Sequence, residues 1–140
     1  MTYRFLPDVA LADIAFEAKS ESLAGLFESC ALAMTDIMVD PRTLNSTTER
    51  SFVLESPDLD RLLYDFMTEL IVVKDIDSLL FGEYEIEVDP RLPSMKAKAR
   101  GEPIDRARHT LRNDVKAVTM HLFGIKREGQ TWKTTVVLDI

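Results

Sequence analysis

The fold of this chain is predicted most directly by residues 83–100, which read EYEIEVDPRLPSMKAKAR. Apolar residues alternate with glutamates before the proline-containing turn, and with lysines and an arginine after it. A period of two is typical of a strand with one buried face, and the polar turn between the runs predicts an antiparallel pair. The outer face of this pair would set acids against bases, which stabilises neighbouring strands.

Two amphipathic helices are predicted upstream of this pair. Ser22 is the predicted N-cap of the first helix, because its side-chain oxygen can accept an orphan backbone N–H, and apolar residues follow at helical spacing to Met38. The second helix is predicted to open at Ser56-Pro57-Asp58, with Pro57 at the first helical position, where no donor is lost. Its apolar stripe runs from Leu59 to Ile71.

The remaining patterned segments read as strands. Residues 13–18 and 51–55 alternate, and residues 115–126 and 131–140 predict a last hairpin around residues 127–130. In the first strand of that hairpin, Val118, Met120 and Leu122 are predicted to line one face and His121 the other. The order of elements predicts an α+β fold, a largely antiparallel sheet with the two helices packed as a second layer. A length of 140 residues suits a single domain, residues 1–140.

Composition excludes several classes of protein. Seventeen Lys and Arg stand against 24 Asp and Glu, a net charge of −7, which argues against stable nucleic-acid binding. Cys30 is the single cysteine and lies on the apolar stripe of the first helix, so we expect a core thiol in a reducing compartment. The sequence shows neither a signal peptide nor an apolar run long enough for a bilayer. These features favour a monomeric cytoplasmic protein without membrane contact.

Most enzyme signatures are absent from the sequence. It contains no GxGxxG, Walker, GxSxG or HExxH motif. Its two histidines, His109 and His121, lack the partner ligands of a zinc site. We interpret both as exposed or hydrogen-bonded residues, with contact to a partner protein as the alternative.

Carboxylates near the two ends of the chain are the more informative feature. Asp139 and the Ile140 carboxylate follow an apolar strand, and Asp13 opens an early one. If these groups converge, they form an all-oxygen site of the kind that binds calcium, magnesium or manganese. Spacing alone favours the simpler interpretation, a solvated terminus and an ordinary strand-start Asp. Lys116 either counters these acids or is an ordinary surface lysine.

Several motifs resemble those of one known family, the archeases. The resemblance runs the full length of the chain, and the combination of a Val-Lys-Ala-Val-Thr motif with an Asp-Ile end is specific to that family. The matching segments are Leu11-Ala12-Asp13-Ile14, residues 31–34, residues 55–63, Gly101-Glu102-Pro103-Ile104-Asp105 followed by His109, residues 115–121 and residues 137–140. The chain has Ala10-Leu11 where the family has His-Thr, and Met120 where it has an aromatic residue.

The resemblance implies a protein cofactor and not a stand-alone enzyme. Archeases activate the RtcB-type RNA-splicing ligase, which uses GTP and manganese to join RNA ends, including tRNA halves. They promote guanylation of the ligase and its multiple turnover. The family's divalent cation, typically calcium, with magnesium or manganese as alternatives, maps onto Asp13, Asp139 and the Ile140 carboxylate. The motif lysine maps onto Lys116, and the motif histidine onto His121.

Two other functions remain open at this point. A chaperone-like modulator would bind protein partners without ligase specificity and without dependence on Asp13. A small metal-dependent hydrolase would use the same carboxylates, but the sequence offers no base or nucleophile beyond these acids.

Overall fold

A computed structural model describes residues 1–6 and 13–140. The motif positions Ala10 and Leu11 lie outside the described residues. A short 3-10 turn, Pro41–Thr43, follows the first helix. The other elements, in chain order, are β1 (Thr2–Leu6), β2 (Asp13–Ser20), α1 (Leu23–Met38), β3 (Thr48–Glu55), α2 (Leu59–Asp77), β4 (Leu79–Asp89), β5 (Ser94–Pro103), β6 (Ala117–Val118), β7 (Gly124–Glu128) and β8 (Thr131–Asp139).

The strands divide into two antiparallel sheets, and the predicted α+β class is confirmed. The three-stranded sheet has the order β3-β5-β4, and the predicted pairing of residues 83–88 with 95–100 is confirmed, with Ile86 opposite Ala97. The five-stranded sheet has the order β1-β2-β8-β6. Strand β7 also pairs with β8, on the edge that β2 does not occupy.

Helices α1 and α2 contact strands of both sheets and fill the core. Phe27 of α1 stacks on Phe66 of α2 with ring centroids 6.3 Å apart, and Phe66 packs edge-on against Phe52 of β3. Cys30 is fully buried in this core, as predicted, and burial raises the pKa of its thiol. None of the helices among the described residues is both long and apolar enough to cross a bilayer.

Both helices begin with a side-chain cap, although one of the two starts was predicted wrongly. The Ser22 hydroxyl accepts the Gly25 N–H at 3.0 Å, which confirms Ser22 as the N-cap of α1. Helix α2 begins at Leu59 and not at Pro57, because the Asp58 carboxylate caps it by accepting the Arg61 N–H at 2.8 Å. A carboxylate there also complements the positive end of the helix dipole, so the capping residue and not the proline sets the start.

The predicted continuous strand over residues 115–126 is wrong. The chain pairs with β8 only at Ala117–Val118 and again from Gly124, and the segment between them leaves the sheet. Met120 and Leu122 are therefore exposed and do not line a strand face with Val118, and Leu122 has a positive φ of 59°.

Contacts with α2 explain where the strand resumes. The Asp60 carboxylate of α2 accepts the Ile125 N–H at 2.8 Å. The Tyr64 ring meets Phe123 edge-on, with centroids 5.9 Å apart. These tertiary contacts hold residues 123–125 against the helix, so the chain before them forms a turn although its sequence alternates.

Candidate functional site

The first residue of β2 and the last residue of β8 lie directly opposite each other. These residues are Asp13 and Asp139, and the two strands stay in register from this pair to Ser20 and Trp132. Burial fixes the register, because a slip of one residue would turn core residues such as Phe16 and Leu138 away from the helices. The sequence posed the meeting of an acid near the start of the chain with the last strand as a condition, and the strand pairing meets that condition.

The two carboxylates share the sheet face that the helices do not cover. Phe16 and Leu138 point into the helical core, and strand alternation places Asp13 and Asp139 on the opposite face. Residues directly opposite on antiparallel strands have Cβ atoms about 4.5–5.5 Å apart. Both aspartates are half-buried, and no ion pair joins either of them to a basic side chain of residues 1–6 or 13–140. Two like charges therefore face each other, and the described residues supply no ion-pair partner to either.

Lys116 reaches this site through its main chain. Its N–H donates to the Asp139 carbonyl oxygen at 2.8 Å, and the next residue, Ala117, lies opposite Asp139 on the side away from Asp13. The Lys116 side chain is exposed. Ile140 follows Asp139 and is half-buried. The end of β8 is thus held between β2 and β6, which positions the Asp139 carboxylate.

This arrangement offers a divalent cation a partial set of hard oxygen ligands. Carboxylates suit calcium, magnesium and manganese, and magnesium binds through one or two carboxylates while keeping several waters. Within the described part of the chain, no three His, Cys, Asp or Glu side chains gather as a metal-binding group. A cation at the two aspartates would need its remaining ligands from main-chain oxygens, the Ile140 carboxylate, water or a partner.

His121 lies apart from the pair of aspartates. It is exposed on the turn after β6, and its N–H donates to the Thr119 hydroxyl at 3.3 Å. The prediction of a strand position for His121 is wrong for the reason given above, and the turn presents its ring to solvent between Met120 and Leu122.

His109 is buried and hydrogen-bonded, in agreement with one of the interpretations above. The Asp105 N–H donates to its Nδ1 at 2.9 Å, so Nε2 carries the proton and donates to the Glu102 carboxylate at 2.6 Å. Arg108 lies 2.5 Å from the same carboxylate, which also accepts the Asn45 N–H at 2.8 Å. These contacts tie the end of β5 to two neighbouring loops.

The surroundings of Glu102 keep it ionised. Hydrogen bonds from Arg108, then from His109 and from the Asn45 N–H, lower its pKa from 4.5 to about 2. Both oxygens of the Glu102 carboxylate have partners within the protein, so we interpret the network as structural. The sequence showed the motif over residues 101–105 with His109. It did not show that Glu102 and His109 of this motif are hydrogen-bonded to each other.

A second charged cluster that the sequence did not indicate lies in a cleft of about 350 Å³ beside the end of α2. Lys74 is buried there, and its ammonium donates to Asp75 at 2.6 Å and to Asp114 at 2.5 Å. Burial lowers the pKa of Lys74, but the two carboxylates outweigh it and the pKa is raised. The lysine is thus fully engaged in holding α2 to the segment before β6.

Comparisons with known proteins agree on one family. The model of the Archease protein family matches residues 3–140. The protein archease of Methanosarcina mazei is 35% identical over 132 residues, which are 92% of this chain and 90% of that protein. The protein archease of Sulfolobus acidocaldarius is 36% identical over 129 residues, 92% of this chain and 93% of that protein.

Two solved structures have the same fold. A solution structure of a Methanobacterium thermoautotrophicum protein superposes with a TM-score of 0.85 at 33% identity, covering 99% of this chain and 98% of that one. A crystal structure of a Thermotoga maritima archease, described as a possible chaperone, gives a TM-score of 0.68 at 20% identity, with 96% of each chain covered.

Proposed function

Because this chain belongs to the archease family, we propose that it is a protein cofactor that activates an RtcB-type RNA-splicing ligase. In this function it promotes guanylation of the ligase and its multiple turnover, and performs no reaction alone. The observation that carries the proposal is the register of Asp13 opposite Asp139, which supports a cation site at the positions where the family resemblance implies one.

The proposed cation ligands are the side chains of Asp13 and Asp139 and the Ile140 carboxylate. Calcium is the first candidate, with magnesium or manganese as alternatives, because all three prefer oxygen ligands. Without a cation, facing carboxylates repel each other, so binding a cation removes an electrostatic cost. When bound, a divalent cation supplies positive charge that stabilises negative charge developing during nucleotidyl transfer.

Lys116 and His121 are proposed to act in partner contact. The main chain of Lys116 is fixed to Asp139, and its side chain is exposed and free to meet a partner. His121 stands on the exposed turn between Met120 and Leu122, whose side chains are 61% and 58% exposed. An imidazole flanked by exposed apolar side chains suits a protein interface.

A turnover assay with the cognate ligase, GTP, manganese and excess RNA tests the proposal. Wild-type protein should increase the number of ligations per ligase, and Asp139→Ala should lose this stimulation because one of the two facing carboxylates is gone. Glu87→Ala is the matched control, since Glu87 is an exposed strand carboxylate that faces Lys96. Equal stimulation by wild type and Asp139→Ala would reject the role of the site.

The Ile140 carboxylate has its own test. A short peptide tag fused after Ile140 replaces that carboxylate by an amide, so we expect weaker cation binding and weaker stimulation. The same tag placed before Met1 is the control and should change neither. Full cation binding by the protein tagged after Ile140 would remove Ile140 from the ligand set.

Two other functions give different results in the same assays. A chaperone-like modulator would stimulate several unrelated enzymes, and Asp13→Ala would stimulate them as well as wild type. A metal-dependent hydrolase would show phosphatase or nuclease activity in the absence of any ligase.

A further inference from the structure

Three lysines lie side by side across three strands of the five-stranded sheet. Lys19 of β2 lies opposite Lys133 of β8, and Lys133 lies opposite Lys126 of β7. Strand alternation places this row on the face that carries Asp13 and Asp139. Lys19 and Asp13 belong to the same strand and are about 20 Å apart at the usual rise per residue. The row is therefore a separate feature at the other end of that face.

Such a row is unfavourable for the protein alone, because like charges directly opposite on paired strands destabilise a sheet. The cost is only partly offset by Glu17, a buried carboxylate of β2. Its oxygens lie 3.4 Å from Lys133 Nζ, 3.7 Å from Lys19 Nζ and 3.4 Å from Arg4 Nε. One carboxylate thus faces three cations.

Glu17 also keeps these cations in place. Burial raises the pKa of Glu17, but the charge and hydrogen bond of Lys133 and those of Arg4 outweigh it, so the pKa lies below its ordinary value. Lys126 forms no ion pair with an acid of the described ranges. Positive charge therefore remains in excess here, although the chain as a whole carries a net charge of −7.

We propose that the lysine row, Lys19, Lys133 and Lys126, together with Arg4, binds a ligand that carries two or more linked phosphate groups. The row spans two strand spacings, about 10 Å, which is wider than a single phosphate group. Lysine ammonium groups bind phosphate as point charges, and Arg4 adds a planar donor. A nucleoside polyphosphate and an RNA backbone share this chemistry. The site does not depend on the proposed cation site.

The sequence-based expectation of no stable nucleic-acid binding used only the net charge. The register shows that the charges are unevenly distributed, with bases collected at one end of one sheet face. Local charge, and not the average, governs where an anion binds.

Binding is measured by calorimetry or fluorescence anisotropy in EDTA with three probes: inorganic tripolyphosphate, a nucleoside triphosphate and a short single-stranded RNA. The test variant is Lys19→Gln with Lys126→Gln, which leaves the ion pair between Lys133 and Glu17 intact. The matched control is Lys96→Gln with Lys98→Gln, two exposed strand lysines that face Glu87 and Glu85. Both variants lose the same charge.

We expect the test variant to bind about tenfold or more weakly than wild type, because each lost ammonium removes a charge-assisted hydrogen bond. The control should bind as wild type does. Binding of tripolyphosphate and the nucleotide identifies a nucleotide site, and binding of RNA alone identifies an RNA backbone site; both support the proposal. No binding of any probe, an equal loss in both variants, or equally tight binding of polyglutamate would overturn it.

A second variant guards against a folding defect. Lys133→Gln removes the central lysine, and its fold is checked by circular dichroism and thermal melting. If it is folded, it should also bind the phosphate probe more weakly, and wild-type affinity in a folded Lys133→Gln protein would contradict the proposal.

Discussion

The two sheets of this protein differ in how charged residues face each other. In the three-stranded sheet, Glu83, Glu85 and Glu87 lie opposite Arg100, Lys98 and Lys96, so every pair in this series attracts. In the five-stranded sheet, Asp13 faces Asp139 at one end and lysine faces lysine at the other. Opposite pairs stabilise a sheet and like pairs cost free energy. Attracting pairs on the first face stabilise the sheet. The like pairs on the second face carry an electrostatic cost, and they are the groups to which we assign the proposed ligand sites.

The largest expected effect concerns cation affinity. Asp139→Asn removes one of two facing carboxylates, so its affinity for calcium should fall by about a hundredfold, because ligand charge sets affinity at such sites. Isothermal titration calorimetry measures it, with Glu87→Gln as the control that should bind as wild type does. Equal calcium affinity in wild type and Asp139→Asn would contradict the proposal that the facing aspartates of the five-stranded sheet bind a cation.

An effect of intermediate size is expected on the pH dependence of stability at Glu102, a carboxylate that is paired with Arg108 and hydrogen-bonded to His109. The pKa of Glu102 is lowered from 4.5 to about 2, so its contribution to stability is complete above pH 4.5 and is lost as the pH falls through about 2. Glu102→Gln should lower the melting temperature at neutral pH and show a smaller further loss over that acidic range.

The exposed Glu55 provides the control for this pH series. Glu55→Gln should follow the wild-type profile of melting temperature against pH. Coincident profiles for Glu102→Gln and wild type would show that the network around His109 contributes no stability.

The smallest expected effect is a change in the free energy of unfolding, which should have opposite signs for substitutions on the two sheets. In EDTA and low salt, Asp13→Asn relieves the repulsion with Asp139 and should raise the free energy of unfolding by about 0.5 kcal/mol. Glu87→Gln removes an attraction to Lys96 and should lower the free energy of unfolding by a similar amount, about 0.5 kcal/mol. Urea denaturation measures both changes. Changes of the same sign would mean that charge pairing does not distinguish the two faces.

The sequence predicts local structure well where one pattern decides it. Residues 83–100 carry both the alternation and the turn, so the sequence predicts their antiparallel pairing with acids opposite bases, and this pairing is confirmed. Ser22 has the side-chain acceptor of an N-cap, and α1 begins directly after it. The start of α2 was misplaced because Pro57 and Asp58 are adjacent start signals, and only the bond from the Arg61 N–H decides between them.

Features that depend on distant parts of the chain were not predictable from local pattern. The alternation of Val118, Met120 and Leu122 indicates a strand, but contacts of α2 with Phe123 and Ile125 impose a turn there. The meeting of Asp13 with Asp139 was predicted only as a condition, since their pairing depends on the register of strands far apart in sequence. The lysine row was not predicted at all for the same reason.

The most direct test of the cation site is an anomalous-difference map from a crystal of this protein grown or soaked with manganese. The proposed site predicts a peak bonded to carboxylate oxygens of both Asp13 and Asp139. Anomalous density elsewhere on the protein, with none between these two side chains, would contradict the account.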